Sequence, residues 1–114
     1  MDNELVIKVG DKELRFKLKS QVIVLLEKVY GKNIFEIFQD LSFTSMQRIF
    51  WEALINKEDV ADMNDMMDQL LSVKSLLEMG ETELQELAVK SGILKAEEIS
   101  NADKDTSLEE LKNA

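Results

Sequence analysis

The first eighteen residues leave the backbone little choice. ELVIKV and ELRFKL flank a two-residue Gly10-Asp11 loop. Leu5, Ile7 and Val9 alternate with Val6 and Lys8, and Leu14, Phe16 and Leu18 alternate with Arg15, Lys17 and Lys19. Strand side chains alternate between faces, so this loop length pairs Ile7 with Leu14 and Leu5 with Phe16 on one apolar face. Glycine at the first loop position accepts the positive φ of a type II′ turn. The opposite face is basic at Lys8, Arg15 and Lys17. Two strands alone are marginal in water, so the apolar face demands helices to pack against. The expected fold class is therefore α+β, with an N-terminal β-hairpin on a bundle of four to five short helices.

The rest of the chain supplies those helices. It contains no proline, which suits helices joined by short connections. Ser20 is a candidate cap for a first helix with the stripe Val22, Leu25, Leu26 and Val29, ended by Gly31. Asn33 followed by Glu36 forms a capping-box pattern for a short second helix bearing Ile34, Ile37, Phe38 and Leu41. Thr44 with Gln47 opens a third helix, whose apolar face is Met46, Ile49, Phe50, Ala53 and Leu54, and Asn56 to Asp59 reads as a polar break. A fourth helix is expected from Asp59 or Val60, bending or stopping near Ser72, with Gly80 as a plausible end. Thr82 with Gln85 opens a fifth carrying Leu84, Leu87 and Ala88, closed by Ser91-Gly92. Residues 1–92 then form one domain and residues 93–114 an acidic, flexible tail, with a last short turn capped by Ser107 and Glu110.

Composition narrows the chemistry. With 114 residues the chain suits one domain, and it has neither cysteine nor histidine. A thiolate nucleophile, a disulfide scaffold, the usual neutral-pH base and the commonest metal ligand are all missing. No phosphate-cradling glycine motif occurs, and nothing singles out two of the 23 acids as a catalytic pair. Asn101, Asp103 and Asp105 begin a calcium-loop spacing, but Thr106 replaces its glycine and Lys112 its bidentate glutamate. Neither an enzyme nor a bound cofactor or metal is expected. The N-terminus lacks a secretory pattern, and the longest aliphatic run, Val22 to Leu26, is far too short to span a bilayer, so a soluble intracellular protein is expected. Residues 1–58 carry 9 basic and 9 acidic side chains, whereas residues 59–114 carry 5 and 14. Such a half argues against nucleic-acid binding and suits a basic protein partner.

Within DMNDMMDQLL three of the six methionines fall in five residues. At about 100° per residue, Val60, Met63, Met66, Met67, Leu70, Leu71, Val73 and Leu77 share an arc of about 160°, with the acids outside it. Two readings stand: a core stripe, or an adaptable groove for a partner helix, since unbranched thioethers repack readily. On the second reading Met63, Met66, Met67, Leu70 and Leu71 bind a partner. Trp51, off the stripe of its own helix, is either a further contact or a core residue. Phe35, Phe38, Phe43 and Phe50 read mostly as core.

The order of hairpin, LKSQVIVLLEKVYGKNIFEIF, MQRIFWEALINKED and an acidic helix ending DQLL resembles the tail assembly chaperones of long-tailed phages and prophages of Gram-positive bacteria, over residues 4–75. The resemblance lies in the pattern of apolar positions and a few words, with no catalytic signature. It implies a non-enzymatic protein of the host cytoplasm, absent from the mature virion. Such proteins keep the long helical tape measure protein soluble and help the major tail tube protein polymerise around it. Members tend to self-associate. Here a basic hairpin face (Lys8, Arg15, Lys17) meeting an acidic second half would give a head-to-tail homo-oligomer. Two other classes compete: a structural component of a virion or other assembly, and an acidic decoy that mimics nucleic acid.

Overall fold

The computed structural model describes residues 3–95, so the readings made on residues 96–114, the calcium-like spacing and the Ser107 cap among them, lie outside the described residues. Strands β1 (Leu5–Val9) and β2 (Lys12–Phe16) form the hairpin, and the register is the one the loop length dictates: Leu5 faces Phe16 and Ile7 faces Leu14. Gly10 sits at φ 62°, a conformation that an L side chain resists. Leu5, Ile7, Leu14, Phe16 and Leu18 are buried.

Among the described residues five helical rods accompany the hairpin. They are α1 (Ser20–Tyr30), α2 (Ile34–Gln39), α3 (Phe43–Ala53), α4 (Met63–Leu71), and a continuous run made of α5 (Leu76–Glu78), a π-helical turn (Met79–Glu83) and α6 (Leu84–Lys90). Of these, α4 and α6 pack on β1. The α+β hairpin-on-helices class is the observed one. Phe16 and Phe50 meet edge to face at the centre, 5.5 Å between ring centroids. Leu26, Ile49, Met66, Leu70, Met79 and Leu87 close around them, all fully buried.

Several helix starts differ from the sequence reading, each for a local reason. Lys19, not Ser20, is the N-cap of α1, and no side chain caps it. Only Leu26 of the α1 stripe is fully buried, while Leu25 and Val29 face outward. The Asn33/Glu36 box and the left-handed Gly31 cap stand as read. The cap of α3 lies two residues before the expected Thr44, because Ser42 and Ser45 cap reciprocally: each backbone N–H donates to the other's hydroxyl, at 2.9 and 3.1 Å. Asp62 caps α4, two or three residues after the expected start at Asp59 or Val60, by accepting from the Asp65 N–H at 2.8 Å. That helix stops at Leu71 with Ser72 as its C-cap. Gly80 does not end a helix. Ser75 and Glu78 form a capping box that starts the last run seven residues before Thr82, and Gly80 lies inside its π-helical turn.

The segment read as a polar break is structural. After α3 the chain runs beside β2 as a rudimentary third strand: Lys17 N–H donates to Ala53 O (2.9 Å), Ile55 N–H donates to Arg15 O (2.8 Å), and Phe16 bridges to Leu54. Asn56 extends the pairing with its side chain. Its Oδ1 accepts from Arg15 N–H at 3.0 Å, and its Nδ2 donates to Glu13 O at 2.8 Å and to the Asp59 carboxylate at 2.6 Å. Asn56 is buried, and these bonds account for both ends of its amide.

Candidate functional site

The chain leaves a groove between two helix starts. Leu41, Ser42 and Phe43 form one wall, Leu76, Leu77 and Gly80 the other, Met46 the floor, and Glu81 the rim, around a volume of about 430 Å³. Phe43 and Met46 lie three residues apart at the N-terminal end of the α3 stripe, which continues through Phe50. The core covers Met46 and Phe50 but ends before Phe43, which remains 46 % exposed. On the other wall the Ser75/Glu78 box fixes the first turn of α5 and aims Leu76 and Leu77 outward, Leu77 being 69 % exposed. The only charged side chain lining the groove is the acid Glu81.

Such a surface is concave and largely apolar, and its walls are set by capped helix starts. It can take an apolar side chain row from an amphipathic helix, and its acidic rim favours basic residues beside that row. Among the described residues there is no group of three or more acidic side chains able to hold a metal ion. No helix of the described residues is long and apolar enough to cross a membrane.

The residues singled out at DMNDMMDQLL are divided by the structure. Met66, Met67 and Leu70 are buried beneath the hairpin and α3, Met63 is half-buried, and Leu71 is exposed. In the free chain, therefore, the methionine face of α4 is core, because β1 and α3 pack on it. Val73 and Leu77 leave its arc because the helix ends at Leu71. Trp51 is half-buried against the core, with the Lys57 ammonium 5.2 Å from its ring centroid. Met63, Met66, Met67, Leu70, Leu71 and Trp51 do not line the groove, whose walls are built by Phe43, Leu76 and Leu77. One sequence signal marks it: Ser75 followed by Glu78 is a capping pattern, and it places both leucines on the first turn of a new helix.

The basic hairpin face is partly neutralised. Arg15 pairs with Glu4 at 3.3 Å, and Lys8 stands opposite Glu13 across the hairpin. Lys12 is turned away to the segment before α4, donating to Asp59 O at 2.9 Å, and to Gln69 Oε1 on α4 at 3.4 Å. Lys17 belongs to a separate cleft with Lys19 and Lys57.

No family model matches the chain, and neither a curated protein nor a solved structure matches it.

Proposed function

We propose that this chain is a non-enzymatic assembly chaperone that holds an amphipathic helical segment of a client protein in the groove between α3 and α5. The observation that carries the reading is the groove itself: Phe43, Leu76 and Leu77 stay exposed around a buried Met46 floor. A monomeric protein that served no partner would gain by covering such a concavity. The resemblance over residues 4–75 supplies the client, the phage tape measure protein, and the role, helping the major tail tube protein assemble around it in the bacterial cytoplasm. A long helical client exposes many similar apolar rows. A shallow groove with a flexible thioether floor tolerates such variety better than a deep, shaped pocket. Self-association through Lys8, Arg15 and Lys17 belongs to the same proposal and is sensitive to salt.

The test is co-expression of the tagged 114-residue chain with a phage tape measure protein, followed by mass spectrometry of what co-purifies. Recovery of the tape measure protein is expected with the native chain. It is expected to be lost in a Phe43→Asp/Leu77→Asp variant whose circular dichroism and melting match the native chain. Undiminished recovery by that variant would refute the groove as the client surface, and no recovery by the native chain would refute the role.

A further inference from the structure

We infer that the cleft lined by Lys17, Lys19 and Lys57 seats the chain's own acidic segment, residues 96–114. The three lysines surround a space of about 270 Å³ in a protein whose net charge is −9. The one acid on its lining, Glu52, is already engaged, accepting from Arg48 at 2.9 Å. Lys57 is anchored by donation to Leu54 O at 2.7 Å and by the face of Trp51. Burial depresses the pKa of Lys57. The Glu52 charge acts against this, and Lys19 adds a further push downward. A concentrated positive site of this kind gains from an anionic occupant.

The position of the chain end selects the occupant. Leu18, between Lys17 and Lys19, donates its N–H to Ser91 Oγ at 2.8 Å, which ties the end of α6 to the lysine segment. The chain therefore leaves its last described helix beside the cleft. Residues 96–114 carry six acids (Glu97, Glu98, Asp103, Asp105, Glu109 and Glu110) against Lys104 and Lys112. A segment of that length, at up to about 3.3 Å per residue, reaches far beyond the few residues' span the cleft requires. Tethering at the cleft's edge holds its carboxylates at an effective concentration in the millimolar range, which a separate acidic partner would have to exceed. The cleft and the groove are lined by different residues, so failure of this inference leaves the client-binding reading untouched. Lys17 is shared with the proposed self-association, and mixing labelled with unlabelled chains separates the two.

The absence of cysteine makes the test direct, because a Ser107→Cys variant of the chain accepts a single nitroxide within the acidic segment. In the ¹⁵N-labelled protein at low salt, the amides of Lys17, Lys19, Ile55 and Lys57 are expected to lose more than half their intensity relative to the reduced label. They are expected to recover in about 1 M salt, where the screening length falls to about 3 Å. A Lys17→Glu/Lys19→Glu variant, shown folded by its amide spectrum, is expected to abolish the broadening at Ile55 and Lys57. An equimolar mixture of ¹⁵N-labelled native chain with unlabelled spin-labelled chain separates the sources. Broadening of equal size in that mixture would mean that a second copy's tail occupies the cleft, and would overturn the inference. So would a low-salt spectrum without broadening at these amides.

Discussion

Replacing Asn56 by alanine tests whether the segment after α3 holds the hairpin in place. The side chain accepts from Arg15 N–H and donates to Glu13 O, and its removal strips both partners from the outer edge of β2. A buried backbone group left without a partner costs about 1–3 kcal/mol. Water reaches this edge in part, since Glu13 is exposed and Arg15 half-buried, so the lower part of that range applies to each group. The expected loss is about 2–4 kcal/mol, a large share of the roughly 5–15 kcal/mol that holds a domain of this size. The melting temperature should fall by about 8–32 °C, at about 4–8 °C per kcal/mol. Urea unfolding followed by circular dichroism measures the loss, with the slope expected to stay unchanged.

Asn56→Asp adds a signature that a general loss of packing lacks. The new carboxylate would stand where the amide nitrogen now lies 2.6 Å from the Asp59 carboxylate. Two carboxylates at that distance share a proton, so the folded pKa of the pair rises above its unfolded value. The destabilisation is then greatest above that raised pKa. It shrinks as pH falls toward the ordinary carboxylate range of about 4. Asn56→Ala should show no such dependence relative to the native chain. An alanine variant within about 1 kcal/mol of native, or an aspartate variant whose deficit ignores pH, would refute the view that this side chain serves as the sheet's third-strand partner.

Other substitutions separate stability from binding. Met66→Ala empties a fully buried site and is expected to cost about 2–5 kcal/mol, whereas Leu77→Asp, on an exposed groove wall, is expected to stay within about 0.5 kcal/mol by the same urea assay. Gly80→Ala would place a Cβ 3.7 Å from Met46 Sδ, an ordinary contact, in a helical backbone. It is expected to stabilise the free chain by about 0.4–1 kcal/mol while narrowing the groove, so melting should rise as client recovery falls. The Ser75 N–H donates to Glu78 at 2.7 Å and holds that carboxyl below its ordinary range, against partial desolvation and with some help from Lys74. That contribution is present above the unfolded glutamate pKa and is lost as pH falls through the lower folded value. Glu78→Gln should therefore melt earlier at neutral pH and lose less stability than the native chain on acidification.

What could be read in advance follows from the range of the forces involved. The hairpin register was legible because a two-residue loop and strict alternation are local constraints, and the Asn33/Glu36 box was legible for the same reason. The start of α3 was missed because Ser45 completes the box with a hydroxyl, where the usual pattern has a glutamate or glutamine. The role of Asn56 was hidden because it depends on β2, some forty residues earlier. Alone, Asn-Lys-Glu-Asp is only a polar turn. The methionine arc correctly put Met66, Met67 and Leu70 on one face, but periodicity cannot say whether a face is covered, and here the hairpin and α3 cover it. The same reasoning carried the arc past Leu71 and so assigned Leu77 to the wrong helix, which concealed the groove.

The groove differs from the other exposed apolar surface in shape. Val24 and Val29 on α1 are about as exposed as Phe43 and Leu76 of the groove walls, and Leu25 is somewhat less so. They stand on the outer face of a single helix, and scattered surface aliphatics of that kind are ordinary. Phe43, Leu76 and Leu77 face one another across a gap with a buried floor, so an incoming side chain is contacted from several sides and loses more water per atom. Both walls are also fixed before any partner arrives: each is the first turn of a helix, held by its own reciprocal cap at Ser42/Ser45 and Ser75/Glu78. The caps stabilise the turns whether or not the space between them is filled. The chain therefore keeps an open apolar gap without loosening its walls, and a partner helix entering it need not first order the surface that receives it.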